Sequence, residues 1–186
     1  MTDKGPRDRT IPPGDDKPRL TCPECSYIAY ENPKIVNAVV AVHKGKILLC
    51  RRAIDPRKGL WTLPGGFMEM KETVTGGALR EAFEEANAKG SIGPLLGVYH
   101  SSRTSDVILV FRMDMPTDQI AAGPETLEAK FFDWKDIPWN DLAFPFVGRS
   151  LKYYDATKGQ AIIQPEIVDP PAPTPVPPTI TPRTKI

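Results

Sequence analysis

Three glutamates with helical spacing are the residues of this sequence best suited to do chemistry. Glu81, Glu84 and Glu85 stand at positions i, i+3 and i+4, and at about 100° per residue an α-helix places them within roughly 100° of its circumference. Carboxylates at this spacing repel each other by roughly 0.2–0.5 kcal/mol per pair unless a cation neutralises them. Magnesium prefers oxygen ligands and retains several waters. The spacing therefore predicts a Mg²⁺ site that the phosphate oxygens of a substrate would complete.

The helix that must carry these glutamates is predicted over residues 73–88. Its other side is apolar, and we expect that side to pack against the rest of the domain. The apolar residues are Leu79, Ala82, Phe83 and Ala86. Asn87 follows at the C-terminal end, where helices favour a residue in the left-handed conformation, and asparagine tolerates that conformation best after glycine.

Further charged residues precede the glutamates at fixed spacing. Glu72 comes six residues after Gly66, and Arg80 comes eight residues after Glu72, which gives the pattern G-x5-E-x7-R-E-U-x-E-E. The pattern resembles the signature of the Nudix hydrolase family at every charged position, although Asn87 stands where that signature ends in glycine. Similarity to the family's core extends to Trp61, Leu63, Pro64 and residues 131–134, and the resemblance as a whole spans roughly residues 32–154.

The resemblance implies an α+β fold, namely a Nudix-type α/β/α sandwich with a mixed β-sheet. The hydrophobic pattern agrees, because strands and helices alternate too irregularly for a doubly wound parallel sheet. Strands are predicted over residues 35–42, 46–52, 95–101, 107–113 and 127–134, and a second helix over residues 142–154. Lys44-Gly45 separates the first two strands and predicts a hairpin turn.

The resemblance also assigns roles around the metal. The implied ligands of Mg²⁺ or Mn²⁺ are Glu81, Glu84, Glu85 and the backbone of Gly65 or Gly66. Arg80 would orient the carboxylates, and Glu72 would anchor the preceding loop. The metal would neutralise a diphosphate while a polarised water attacks one phosphorus.

A base must accept the proton of the attacking water, and the sequence leaves its identity open. Glu125 and Glu128 follow Pro124 on a loop and the strand after it, and the helix glutamates are further candidates. Relatives in this family place the base differently, so we keep Glu125 and Glu128 as alternatives among the catalytic residues.

Substrate contacts are expected from residues on both sides of the carboxylates. Arg51 and Arg52 end a predicted strand, and since side chains alternate along a strand, only one of them should point into the site. The backbone at Gly65 and Gly66 would approach the phosphates. Tyr99 is a candidate for stacking on a planar base.

The segment 20–34 resembles the second half of the zinc ribbon that precedes certain Nudix domains. That subgroup includes enzymes that hydrolyse flavin adenine dinucleotide (FAD) and ADP-ribose, so we expect a dinucleotide such as FAD as substrate, with ADP-ribose as the second candidate and AMP as one product. Zn²⁺ at Cys22 and Cys25 stays open, because a structural site needs four ligands and the first CxxC pair is missing. A site shared across a dimer and a relic without metal are the alternatives.

Composition divides the chain into four segments: a flexible polar arm over 1–20, a partial ribbon over 21–33, the hydrolase domain over 34–158, and a proline-rich disordered tail over 159–186. The 24 basic and 23 acidic residues nearly balance, which argues against nucleic acid or an anionic membrane as a partner. We expect a cytoplasmic protein that binds a small nucleotide. Homodimers are frequent in the family, and a homodimer is an open alternative here.

A second class of function is a non-catalytic, nucleotide-sensing Nudix-like regulator. Such domains commonly lose a metal carboxylate, whereas Glu81, Glu84 and Glu85 are all present here. No basic stripe for DNA accompanies the domain. The sequence therefore favours hydrolysis over sensing.

Overall fold

The computed structural model describes residues 4–169. The chain divides into two compact units, one up to Pro33 and one from Lys34 onward. Each is described here on its own. No helix in the described residues is both long enough and apolar enough to span a membrane.

The N-terminal unit is a small antiparallel sheet. Its strands are β1 (Asp8–Thr10), β2 (Arg19–Thr21) and β3 (Ile28–Ala29), in the order β1-β2-β3. The turn after β2 is closed by two backbone hydrogen bonds, from Cys22 to Tyr27 and from Ser26 to Cys22. The expectation of a flexible arm over 1–20 differs from this structure, because β1 and most of β2 form within that segment. Pairing of β1 with β2 is non-local, and neither strand carries the apolar alternation by which a strand is predicted.

The second unit holds a mixed sheet and two helices, which confirms the predicted fold class. The elements are β4 (Lys34–His43), β5 (Lys46–Arg52), β6 (Trp61–Thr62), β7 (Gly65–Phe67), α1 (Val74–Ala86), β8 (Ser91–Ser101), β9 (Asp106–Asp114), β10 (Thr126–Phe132), 3₁₀ turns at Trp134–Asp136 and Trp139–Asp141, α2 (Pro145–Thr157) and β11 (Glu166–Val168). The sheet order is β10-β5-β4-β9-β8-β11, with β6 beside β5 and β7 beside β4. Pairs β4–β9 and β8–β11 are parallel, and the other pairs are antiparallel.

The hairpin between β4 and β5 forms where it was predicted. Val42 pairs with Ile47 and His43 with Lys46. Lys44 and Gly45 have φ angles of 47° and 80°, and two consecutive positive φ angles match the twist of the flanking strands.

Alternation along β4 distributes its side chains between two hydrophobic layers. Val39 and Ala41 pack in the layer that contains α1, whose buried contributors are Ala78, Ala82 and Ala86. Val40 and Val42 pack in the layer that contains α2, whose contributors are Val147, Leu151 and Tyr154. The sheet is therefore covered by one helix on each face, as in the predicted α/β/α sandwich.

Three features of this unit differ from the sequence-based expectations. Phe83 was expected on the packing face of α1 but is 49% exposed, because the small residues of α1 bring the helix close to the sheet and leave no room for a ring there. Helix α2 begins at Pro145 rather than at Leu142. Part of the tail predicted as disordered forms β11, which pairs in parallel with β8; residues 170–186 lie outside the described residues.

Candidate active site

Two glycines shape the loop that faces the acidic side of α1. A Cβ atom on Gly66 would lie 2.6 Å from the carboxyl group of Glu81, and one on Gly65 would lie 2.5 Å from the Asn37 carbonyl oxygen. Both distances are too short for any side chain. The glycine pair therefore lets β7 pair with β4 while Glu81 approaches the loop backbone.

Helix α1 is capped at both ends. The hydroxyl of Thr73 accepts a hydrogen bond from the Gly76 amide at 3.0 Å, which satisfies one of the free amides of the first turn. Asn87 has a φ angle of 50°, in the left-handed region, as predicted for the residue that replaces the terminal glycine. These caps fix where the helix starts and ends, and the helix in turn sets the direction in which its glutamates point.

Arg80 organises the acidic residues through five hydrogen bonds. Its Nε and Nη2 donate to the two carboxylate oxygens of Glu72, at 2.6 and 3.2 Å. Its Nη1 donates to Glu81 and to Glu84, both at 2.8 Å, and Nη2 also donates to the Phe67 carbonyl at 3.0 Å. These bonds lower the pKa of Glu72, with Arg80 as the main cause. The predicted orienting role thus corresponds to direct contacts with the loop and with two glutamates.

Glu85 is held apart from the arginine. One of its oxygens, Oε2, accepts a hydrogen bond from the Gly65 amide at 3.0 Å. The pKa of Glu85 is raised to about 7, chiefly by burial; the Gly65 amide and Arg52 lower it, and the charges of Glu81 and Glu125 add to the rise. Burial also raises the pKa of Glu81, although Arg80 opposes this shift.

The donor set fits a hard divalent cation. Glu81 and Glu85 are partly buried carboxylates whose charged forms are destabilised by burial and by each other, and a cation between them would relieve both costs. Within residues 4–169 no three such side chains converge on one point, because Arg80 binds Glu81 and Glu84 while the Gly65 amide binds Glu85. The Glu84 side chain is 55% exposed, so it can rotate toward an ion at little cost.

The two candidates for the base differ in their surroundings. The charge of Glu125 raises the pKa of both Glu81 and Glu85, so its carboxylate lies near theirs. The backbone carbonyl of Glu125 accepts a hydrogen bond from the Ala53 amide at 2.8 Å. Glu128 pairs with Arg51 across the sheet and, like Glu125, is exposed; its charge is not among the main causes of the pKa shifts at Glu81 and Glu85. Of the two candidates, Glu125 is the one whose charge acts on the helix glutamates.

The two arginines at the end of β5, Arg51 and Arg52, also lie in different surroundings. The charge of Arg52 lowers the pKa of Glu85, and its guanidinium carbon lies 5.3 Å from the centroid of the Phe144 ring. Arg51 is exposed and its Nε donates to the Gly59 carbonyl at 2.9 Å. Only Arg52 therefore neighbours the carboxylates.

The structure does not bring Tyr99 to the carboxylates, and its ring is buried. Tyr99 is 3% exposed and belongs to the hydrophobic layer that contains α2, on the face of the sheet opposite α1. Its hydroxyl donates to Glu166 of β11 at 3.0 Å. The strand was correctly assigned, but only the sheet pairing determines which of its faces meets which helix.

Sequence reasoning missed Asn37, a fully buried residue of β4. Neither amide atom of its side chain has a hydrogen-bond partner among residues 4–169. A Cβ on Gly77 would lie 2.5 Å from Asn37 Nδ2 and 2.8 Å from Glu72 Oε2, so the amide sits beneath the first turn of α1, beside Glu72. A lone polar residue within the apolar run 35–42 was the signal that could have identified it.

The N-terminal unit does not fit a four-ligand zinc site. Cys22 Sγ donates to Glu24 at 3.0 Å, and both oxygens of Glu24 are bound by the guanidinium of Arg7. A guanidinium beside the thiol opposes a bound cation. Cys25 is exposed and Cys50 is buried in β5, in the other unit. The unit therefore offers two thiols and a positive charge where a ribbon needs four neutral or anionic ligands.

Comparison with known proteins identifies the family. Residues 31–155 match the NUDIX domain family, and residues 4–31 match the zinc-ribbon family described as Nudix N-terminal. The chain belongs to the Nudix family and is a Nudix pyrophosphohydrolase. The second match, over residues 4–31, covers most of the N-terminal unit, where the sequence had indicated only the second half of a ribbon.

Individual relatives share the family or the fold. A NUDIX hydrolase from Nitrosomonas europaea superimposes with a TM-score of 0.81 at 40% identity, covering 90% of this chain and 97% of its own. An ADP-ribose pyrophosphatase from Methanocaldococcus jannaschii is 37% identical over 122 residues, 63% of this chain and 71% of the archaeal protein. The NUDIX domain of Shewanella oneidensis NrtR, solved with ADP ribose, shares the fold at 21% identity with a TM-score of 0.60, over 68% of this chain and 89% of its own.

Proposed function

We propose that this enzyme hydrolyses the diphosphate bond of ADP-ribose, or of FAD as the second candidate, with Mg²⁺ or Mn²⁺ as cofactor. The products are AMP and either ribose 5-phosphate or FMN. The observation that carries the proposal is the pair of partly buried glutamates, Glu81 and Glu85, held beside a glycine loop with their pKa values raised by burial. The archaeal ADP-ribose pyrophosphatase among its relatives favours ADP-ribose over FAD.

In this proposal Glu81, Glu84 and Glu85 hold the metal, and Arg80 keeps the first two oriented. A bound Mg²⁺ supplies charge neutralisation for the diphosphate and acidifies a water. Arg52 binds a phosphate oxygen, since it is the arginine next to Glu85. The amides and carbonyls of the Gly65-Gly66 loop remain close to the phosphates because no side chain intervenes.

Glu125 is the base in this proposal. Its carboxylate lies near Glu81 and Glu85 but outside the hydrogen bonds of Arg80, so it is free to accept a proton from water. The water oxygen forms a bond to one phosphorus, the bridging P–O bond breaks, and the second phosphate leaves with the electron pair of that bond. No covalent enzyme intermediate is needed.

The test is release of AMP from ADP-ribose, FAD, NADH and a nucleoside triphosphate, each with Mg²⁺ and with chelator. We expect chelator-sensitive cleavage of ADP-ribose to exceed that of the other compounds. Glu85→Gln should lower kcat by roughly 10²-fold or more, because it removes a charged ligand of the metal, while Glu128→Gln should leave it unchanged. Tight binding of ADP-ribose without cleavage would instead favour the sensing alternative.

A further inference from the structure

A cavity of about 540 Å³ opens between the first turn of α2, the 3₁₀ turn before it and the loop that joins β5 to β6. This volume is within the range of roughly 300–1,000 Å³ that is usual for small-molecule sites. The wall residues with distinctive chemistry are Arg57, Trp139, Phe144 and Lys152. Neither Arg80 nor any of the helix glutamates lines this cavity.

Two aromatic rings in the wall are held in place by their neighbours. The Trp139 ring meets the Trp134 ring edge to face at a centroid distance of 5.1 Å. The Phe144 ring is stacked against the Phe146 ring at 5.9 Å. Both rings are partly exposed, so they combine fixed orientation with accessible surface, as required for stacking on a planar ligand.

The charge of the wall is positive. Lys152 Nζ lies 5.8 Å from the Trp139 ring centroid, and the exposed side chain of Arg57 lines the cavity opposite α2. None of the residues that line the cavity is acidic. Rings flanked by cations suit a heterocycle that carries ring nitrogens or carbonyl oxygens and lies near a phosphate.

Arg52 joins this cavity to the carboxylates. Its guanidinium lies 5.3 Å from the centroid of the Phe144 ring, in the cavity wall, and its Nε donates to the Pro56 carbonyl at 2.8 Å, in the adjoining loop. Arg52 also pairs with Thr126 at the start of β10, and the loop just before that strand is bonded to α1 through the Gly123 amide, which donates to the Glu85 carbonyl at 2.9 Å. A ligand with a diphosphate beside Glu85 would therefore pass Arg52 before reaching Trp139.

We propose that this cavity is the subsite for the planar nitrogen heterocycle of the substrate, which stacks on Trp139 and Phe144 under the charges of Arg57 and Lys152. The inference rests on the proposed function, because it assumes a diphosphate at the carboxylates. It assigns the choice of substrate to residues far in sequence from the glutamate helix. The heterocycle is the adenine of either substrate or the flavin of FAD, and binding measurements distinguish these sources.

The experiment measures binding of AMP, FMN and ribose 5-phosphate by calorimetry, in the full-length chain with Mg²⁺. All three carry a phosphate, but ribose 5-phosphate has no ring. We expect AMP or FMN to bind at least tenfold more tightly than ribose 5-phosphate. Trp139→Leu should weaken binding of the ring ligand about fivefold or more, the lower end of the effect of stacking one base, and leave ribose 5-phosphate unchanged.

Exposed-residue variants keep the test independent of folding defects. Arg57→Gln and Lys152→Gln should each weaken the ring ligand two- to fivefold, whereas Lys135→Gln, which removes an exposed charge outside the cavity wall, should not. Loss of AMP affinity assigns the cavity to adenine, and loss of FMN affinity assigns it to flavin. Equal loss for ribose 5-phosphate, or no loss for either ring ligand, overturns the proposal. Because binding is measured without turnover, failure of the hydrolytic proposal would be seen separately, as absence of cleavage.

Discussion

The backbone amide of Gly65 donates a hydrogen bond to Glu85 Oε2 at 3.0 Å. This bond ties the loop to the glutamate helix through the carboxylate whose pKa burial raises to about 7. The bond lowers that pKa, but burial outweighs it. Without a metal, Glu85 therefore retains its proton in the folded protein at pH values where the unfolded chain has lost it.

The stability of the metal-free protein should consequently fall as the pH rises. Below about pH 4.5 both states are protonated, and between about 4.5 and 7 only the folded state holds the proton of Glu85, so folding becomes less favourable across this window by about 3 kcal/mol. Urea unfolding in chelator, repeated across this pH range, measures the slope. Glu85→Gln should flatten it and Glu128→Gln should not. A wild-type slope in the Glu85 variant would mean that the pKa of Glu85 is not raised in solution.

Gly66→Ala should damage activity far more than stability. The new methyl group would lie 2.6 Å from the carboxyl group of Glu81, and since that carboxyl group is at the end of a flexible side chain it would move away and lose its ligand geometry. We expect kcat to fall by roughly 10–100-fold and the apparent affinity for Mg²⁺ to weaken. Gly93→Ala is the matched control, because its nearest contact is 3.6 Å. Equal activities of the two variants would contradict the role given to Gly66.

Arg80→Lys should reduce activity although the charge is conserved. A lysine cannot bind both oxygens of Glu72 and still reach Glu81 and Glu84, as Arg80 does, because it lacks the planar fork. We expect a fall of roughly 10–100-fold in kcat/KM. In a double-mutant cycle, Glu72→Gln should add little once Arg80 is replaced. Arg112→Lys, at the partly buried pair with Asp114, provides the control, and additive losses at Arg80 and Glu72 would show that the two act separately.

Features that depend on neighbouring residues were predictable from the sequence. The β4–β5 hairpin followed from Lys44-Gly45, and the left-handed end of α1 followed from Asn87. Local turn and capping preferences determine both, so no knowledge of the sheet was needed. The spacing of the glutamates likewise placed them on one side of α1.

Features that depend on distant pairing were not predictable in the same way. Tyr99 was assigned to the correct strand, but its burial could not be predicted, since its environment is set by α2 and by Glu166 of β11. Strand β1 consists of polar residues that are ordered by pairing with β2. The position of Glu125 likewise depends on long-range contacts, such as the hydrogen bond that the Gly123 amide donates to the Glu85 carbonyl at 2.9 Å.

Glu125→Gln should lower kcat by roughly 10²-fold or more while KM changes little, because general-base catalysis contributes about 10²–10⁴-fold. The neighbouring charges of Glu81 and Glu85 connect Glu125 to the site. The decisive readout is the rate of a single turnover at saturating substrate and Mg²⁺, in which loss of the base slows the chemical step without weakening binding. Glu128→Gln, three residues further on in β10, is the matched control. A large effect of Glu128→Gln with none from Glu125→Gln would reassign the base.

The N-terminal unit should keep its fold without zinc. Glu24 links Arg7 to Cys22 through an ion pair and a thiol hydrogen bond. These two interactions connect the residue before β1 to the residue after β2 without a metal ion. We expect the purified protein to contain well under one zinc per chain by elemental analysis, and a strong chelator to leave its urea midpoint unchanged. Glu24→Gln, which removes the charge that Arg7 binds, should increase the proteolytic sensitivity of the unit, whereas Glu31→Gln should not. One tightly bound zinc per chain, lost together with the fold of the unit on chelation, would show instead that Cys22 and Cys25 still form part of a metal site.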